Sequence, residues 1–248
     1  MEQQQEALIR SRVAAVTAGI AAAAREAGRD PADITLVAAT KAQTSDAIRA
    51  AVAAGVTVCG ENRVQELTAH LADYAYDGAG IHFIGHLQTN KVKQVVGRVD
   101  LIESVGSARL LTAVDTQAGK LGIVQDILLE VNIAGEATKG GLPPEEILRL
   151  AEHAAALSHV RLRGLMCIPP PPEESGGNRP FFAAARQLFV DIRNKIDHNG
   201  CNVNCISMGM SGDYQDAVRE GATLVRVGTA LFGPRPAPAK GDKPAEHL

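Results

Sequence analysis

The chain of 248 residues has no tryptophan, and aromatic residues make up only 3% of it. Proteins that hold single-stranded nucleic acid rely on repeated aromatic stacking platforms, so the composition disfavours that class of partner. An excess of one charge is also missing, with 25 basic residues against 28 acidic ones. That balance supplies no broad field for a nucleic acid or an anionic membrane. No apolar run is expected to span a bilayer. The polar, acid-bearing start MEQQQEALIRSR lacks the basic and apolar segments of a signal peptide. Cysteine is sparse, at four residues. Cys59 and Cys167 stand in apolar runs and read as reduced core residues. The spacing of Cys201 and Cys205 matches no common metal or redox motif. A disulfide framework is not expected in so large a chain, and the reading is a protein of the reducing cytoplasm.

Short apolar, β-branched runs do recur: 34–41, 56–62, 80–87, 101–105, 125–132, 161–168, 201–209 and 223–233. Each is apolar on both faces, as parallel strands covered on both sides must be. Helical segments separate them, at about 44–54, 63–73, 89–97, 107–120, 144–157, 180–198 and 212–220, and one more, about 5–28, precedes the first run. Strand–helix alternation repeated eight times predicts an α/β fold, a single (β/α)8 TIM barrel with an extra N-terminal helix. A doubly wound open sheet is the rival, but it would expose two edge strands. The expected domain is 1–233, followed by a disordered tail, 234–248, rich in proline and charge. A second loose stretch, 169–180, is rich in proline, glycine and acids.

In such a barrel, chemistry gathers at the C-terminal ends of the strands. The first run ends on Lys41, which is either a snorkelling lysine or an amine partly desolvated at a barrel mouth and able to attack an aldehyde. The seventh run ends in Met208-Gly209-Met210-Ser211-Gly212, where Ser211 stands at a helix start. That loop is either an ordinary capped turn or a phosphate cradle. In the eighth run, strand alternation points Arg226 into the barrel if its flanking valines face out. An inward arginine needs an acceptor, either a ligand atom or an internal carboxylate such as Glu61 or Glu103. Gly228 and Thr229 lie just beyond, where barrels often bind phosphate. An aldehyde, a phosphate and an acceptor for the arginine are all present in pyridoxal 5′-phosphate. His82 and His86 are four apart without a clear third ligand, so no metal site is read. Thr138 and Lys139 read as part of a solvated loop, and Lys91 and Lys93 as a solvated helix face.

The stretches LVAATK (36–41), GENRVQE (60–66), HFIGHLQTNK (82–91), IESV (102–105), VNIAGEATKGG (131–141), GLMCIPP (164–170), SMGMSGDYQDAV (207–218) and VRVGTALFG (225–233) together resemble the pyridoxal phosphate homeostasis proteins, the YggS/PROSC family. The resemblance covers most of the chain. It implies a fold-type III barrel like the N-terminal domain of alanine racemase. It implies a Schiff base on Lys41, Arg226 facing the pyridine nitrogen, and Ser211, Gly228 and Thr229 around the phosphate. Asn62 and Met208 are implied to line the cofactor. One departure stands out: Gly106 follows IESV where relatives are expected to carry aspartate.

The resemblance implies a protein of intracellular cofactor homeostasis, a carrier or buffer that could serve apo-enzymes and acts as a monomer. Two other readings stay open at this point. One is a cofactor-dependent amino-acid racemase, the other a barrel enzyme using Lys41 on a sugar or keto substrate. A two-base racemase needs a group on each face of the cofactor. Among Tyr74, Tyr76 and Tyr214, only Tyr214, at the start of the seventh helix, is placed to supply one. An arginine opposite the ring nitrogen also keeps that nitrogen unprotonated and the ring a poor electron sink.

Overall fold

The computed structural model describes residues 3–136, 140–171, 177–196 and 202–234. Eight parallel strands close a barrel in chain order: β1 (Thr35–Ala39), β2 (Val58–Glu61), β3 (Gly80–Phe83), β4 (Leu101–Val105), β5 (Gln125–Val131), β6 (Val160–Cys167), β7 (Cys205–Ser207) and β8 (Leu224–Val227). The helices are α1 (Gln3–Glu26), α2 (Ser45–Ala53), α3 (Val64–Ala72), α4 (Ala108–Leu121), α5 (Pro144–Ala155), α6 (Arg179–Ile196), α7 (Tyr214–Arg219) and α8 (Thr229–Phe232).

Strand alternation splits the core in two. Val37, Ile84, Leu101, Leu128, Met166 and Leu224 fill the barrel interior. A larger cluster that includes Ala38, Cys59, Phe83, Ile102 and Ile206 packs the strands against the helices. Cys59 and Cys167 are fully buried, and desolvation pushes both thiols up to about 12, which makes them inert.

The seam between β1 and β8 is sealed by α1. Its Ile9, Val13, Val16, Ile20, Ala23 and Ala24 are buried at helical spacing, and it packs on α2, α7 and α8. Arg219 pairs with Glu26 at 2.8 Å, and Arg29 donates to the carbonyls of Val218 and Ala222 at 2.7 and 2.8 Å. By length and composition, α1 is in fact long and apolar enough to cross a membrane, contrary to the expectation from the sequence. Its Ile9, Val13, Val16 and Ile20 are nevertheless turned onto the barrel.

Three boundaries differ from the sequence reading. The expected helix at 89–97 is a 3₁₀ segment, Thr89–Gln94. The three buried apolar residues of 89–97, Val92, Val95 and Val96, are all β-branched, which lowers helix propensity, and Gly97 turns left-handed at φ +77°. The seventh strand is only Cys205–Ser207, and Cys201 lies outside the described residues. The eighth run breaks after Val227: Gly228 leaves extended geometry at φ −119°, ψ −73°, and the next four residues form α8. Residues 137–139, residues 172–176 of the 169–180 loop and the tail from 235 onward also lie outside the described residues.

Candidate functional site

Lys41 lies two residues beyond the end of β1 and has the same parity along the chain as Val37 and Ala39. A tight turn begins there, with Gln43 N–H donating to the Thr40 carbonyl at 3.0 Å. Ala42 sits at φ +58°, a costly conformation for a residue with a side chain. It is held there by Glu66, whose Oε2 accepts the Ala42 N–H at 2.8 Å. The preceding residue is locked just as firmly. Thr40, fully buried, donates to Glu61 Oε1 at 2.6 Å. Tyr76 Oη donates to the same oxygen at 2.9 Å, and His70 Nδ1 lies 2.9 Å from it. His70 Nε2 lies 3.1 Å from the Gln43 carbonyl. The hydrogen bond to Glu61 holds the His70 imidazole above its usual pKa. This network faces outward, toward α3, so Glu61 is not the internal partner of Arg226.

That partner lies inside the barrel. Arg226, 4% exposed, donates from Nη1 to Ser207 Oγ and from Nη2 to the Cys167 carbonyl at 2.9 Å. Ser207 Oγ donates to Glu103 Oε2 at 2.6 Å, and His82 Nδ1 lies 2.7 Å from Glu103 Oε1. Nη1 itself is 3.9 Å from Glu103. A polar ladder therefore crosses the barrel from β3 through β4 and β7 to β8. Burial alone would raise the Glu103 carboxyl, but its partners His82, Arg226 and Ser207 outweigh burial and hold it below the usual carboxylate range. The sequence singled out Arg226 and named Glu103 as a possible acceptor. It missed Ser207 and His82, because pairing across a barrel follows closure and not chain spacing.

Ser211 and α8 form the second part of the mouth. Ser211 Oγ accepts the N–H groups of Gly228 and Ala230, both at 3.2 Å, satisfying donors at the start of α8. A Cβ at Gly228 would sit 3.3 Å from the Ala39 carbonyl, whereas one at Gly212 would meet nothing within 4 Å. Thr229 begins α8 and is exposed. Because β8 pairs with β1, this hydroxyl–amide cradle and Lys41 occupy neighbouring strand ends. Asn62, after β2, is also at this rim, and its buried Oδ1 has no partner among the described residues. Met208 follows β7. Its side chain is fully buried in the layer between strands and helices, because strand parity places it opposite Ser207. Only its backbone borders the mouth.

None of the three tyrosines faces the mouth. Tyr74 is 71% exposed, and Tyr76 is buried on Glu61 outside the barrel wall. Tyr214, the one placed at the start of α7, turns to α1, where its Oη would lie 2.3 Å from a Cβ at Gly19.

The architecture defines a class: a closed parallel barrel with a lysine just past its first strand and a hydroxyl–amide cradle at the end of its last. The chain belongs to the family described as alanine racemase, N-terminal domain, whose model matches residues 12–236. Within it, the chain is similar to the pyridoxal phosphate homeostasis protein of Aquifex aeolicus, at 41% identity over 90% of this chain and 97% of the relative. It is likewise similar to that of Pseudomonas aeruginosa, at 40% identity over 92% of this chain and 96% of the relative. Among solved structures, PipY of Synechococcus elongatus, determined with PLP bound, superimposes with a TM-score of 0.80 at 34% identity, covering 91% of this chain and all, 100%, of that one.

Proposed function

We propose that the chain holds pyridoxal 5′-phosphate as a Schiff base on Lys41 and serves as a reservoir or carrier of that cofactor without robust catalysis. The observation that carries this reading is the juxtaposition of Lys41 with the Ser211–Gly228 cradle on adjoining strand ends. The site fits the group. The orphaned Asn62 Oδ1 offers a buried polar contact, and the missing side chain at Gly228 leaves the backbone open to a phosphate. Two of the five N–H groups of Arg226 are engaged with Ser207 and Cys167, leaving others for a ring acceptor. When bound, the cofactor supplies an electrophilic aldehyde and an electron-withdrawing ring.

The residues of the chain would then divide the work. Lys41 would bind covalently, and the strained Ala42 turn, pinned by Glu66, would aim it. Ser211 and the first N–H groups of α8 would bind the phosphate dianion. Arg226 would donate to the ring nitrogen without giving up its proton. The placement of the tyrosines supports storage over racemisation, because a two-base mechanism needs a positioned proton donor on the second face. The relatives' printed names, which describe homeostasis, point the same way. The recipients would be cofactor-dependent apo-enzymes of the same compartment, which we take to be the cytoplasm.

The test is the absorbance spectrum of the purified protein with added pyridoxal phosphate, before and after borohydride, with mapping of the reduced adduct. A yellow band that reduces onto Lys41 is expected, together with no turnover of added amino acids. An adduct scattered over surface lysines, or no band, refutes the site. Robust racemisation refutes the carrier role.

A further inference from the structure

Three side chains on the outer face of the barrel grip the turn that carries Lys41. Glu61 accepts from Thr40, just before the lysine, at 2.6 Å. The next two residues are held from α3 by groups of opposite polarity. Glu66 Oε2 accepts the Ala42 N–H at 2.8 Å, and His70 Nε2 lies 3.1 Å from the Gln43 carbonyl. Glu66 and His70 stand four apart, so they share one face of the helix. Ala42 at φ +58° is costly for a residue with a side chain, so the turn relaxes where the grip fails.

The imidazole is the part of this grip that a proton controls. Both of its nitrogens face acceptors, Nδ1 the Glu61 Oε1 at 2.9 Å and Nε2 the Gln43 carbonyl. A neutral imidazole donates from one nitrogen only, an imidazolium from both. His70 is 7% exposed, so little water can replace a lost partner. On losing one proton, the ring keeps the one that faces the carboxylate, the stronger acceptor. The bond to Gln43 is then the one that breaks. The other charged groups on the elements around His70 are Glu66 with its partner Arg63, Asp46 paired with Arg49 at 2.7 Å on α2, and Lys91 and Lys93 on the 3₁₀ segment. Neither Tyr76, on the same Glu61 oxygen, nor Cys59 ionises near neutrality, because burial pushes both up.

We propose that His70 is a positioning residue for Lys41: with both nitrogens protonated it locks the 40–43 turn, and loss of the Nε2 proton unlocks the turn and loosens the hold on a ligand at Lys41. The lock rests on the contacts alone. Its effect on pyridoxal phosphate rests on the function proposed above. A turn already set spares the ligand the cost of ordering it, so the locked form retains the cofactor better. The hydrogen bond to Glu61 raises the folded pKa of His70 above 6.5. The lock is therefore complete below pH 6.5 and is lost as pH rises through the folded value.

Two variants separate the ring nitrogens. A glutamine amide reaches the place of Nε2, and an asparagine amide that of Nδ1. His70→Gln thus keeps a donor for Gln43 at every pH, and His70→Asn keeps only the contact with Glu61. In the cofactor-free chain, protection of the Ala42 and Gln43 amides from hydrogen exchange, corrected for intrinsic rates, should fall about tenfold from pH 6 to pH 9, the loss of one charge-assisted bond. His70→Gln should stay protected throughout, and His70→Asn unprotected. With added pyridoxal phosphate, the dissociation constant read from the yellow band should rise about tenfold relative to that of His70→Gln over the same range. His70→Asn should be weaker than His70→Gln by that factor at every pH. These ratios cancel the titration of Lys41 itself, and a merely structural role would shift them by a constant. Nitrogen NMR of the unaltered protein, which does not depend on a variant folding, should show both ring nitrogens of His70 protonated at pH 6. A ratio flat in pH, equal behaviour of the two variants, or an unprotonated ring nitrogen at pH 6 would overturn the proposal. The exchange pattern without a yellow band in any of the three proteins would uphold the lock and refute the Lys41 reading instead.

Discussion

Removing the Glu103 carboxylate is expected to be the most damaging conservative change in the barrel interior. The side chain is fully buried and receives two charge-assisted hydrogen bonds, from Ser207 at 2.6 Å and from His82 at 2.7 Å. Glu103→Ala would strip both and leave the guanidinium of Arg226, 4% exposed, without its counter-charge. Bonds of this kind contribute roughly 1.5–3 kcal/mol each, and breaking a buried pair from one side costs about 3–5 kcal/mol. We therefore expect a loss of about 3–5 kcal/mol in urea unfolding. At about 2–4 °C per kcal/mol for a chain of this size, the melting temperature should fall by about 10 °C or more. Glu103→Gln keeps the shape, still accepts one bond, and should lose about half as much. The pH dependence has a definite sign. The folded-state pKa is held below the ordinary 4.5, so the stabilisation is present above pH 4.5 and disappears as pH falls through the folded value. The gap between the unaltered protein and Glu103→Gln should accordingly narrow in acid. A loss of under about 1 kcal/mol for Glu103→Ala, or a gap that widens below pH 4.5, would refute the account of the ladder.

Gly85→Ala would drive a Cβ to 2.1 Å from the Asn62 carbonyl oxygen, a collision of backbone with backbone. It should cost at least about 3 kcal/mol, read as a lowered urea midpoint or as insoluble expression. Ser211→Ala removes the acceptor for the Gly228 and Ala230 N–H groups and should lose about 1 kcal/mol as a helix cap, whereas Ser211→Thr, which keeps the hydroxyl, should lose less in the same thermal melt. His70 has its folded pKa raised above 6.5 by Glu61, so its contribution is complete below pH 6.5 and is lost as pH rises through the folded value. His70→Gln should remove that decline when unfolding midpoints are compared from pH 6 to pH 9.

The eight strands were legible because parallel barrel strands are apolar on both faces and short. The inward course of Arg226 was legible because alternation needs only one anchored face. Its setting was not: the sequence offered Glu61 and Glu103 as equals, and only the parity of β2 turns Glu61 outward to His70 and Tyr76. The outward course of the Met208 side chain was not legible either, since it turns on one residue of parity. The α8 turn was invisible, since VRVGTALFG reads as continuous strand until the Ser211 hydroxyl, seventeen residues away from Gly228, is seen to hold its start. Tyr214 was sited correctly along the chain, but its direction depended on how α7 meets α1.

On the function proposed above, the meeting of β1 with β8 would govern when this protein becomes competent during its own synthesis. Lys41 leaves the ribosome early, but the strand bearing Arg226 and the cradle at Gly228 comes last, and α1 has no complete surface to cover until α7 and α8 exist. A nascent chain released before β8 would expose its lysine without the Ser211–Gly228 cradle beside it, and its aliphatic N-terminal stripe would lie open to water and to chaperones. The paired strand ends would then act as a completeness check: capture of a phosphorylated aldehyde would require that translation has reached β8.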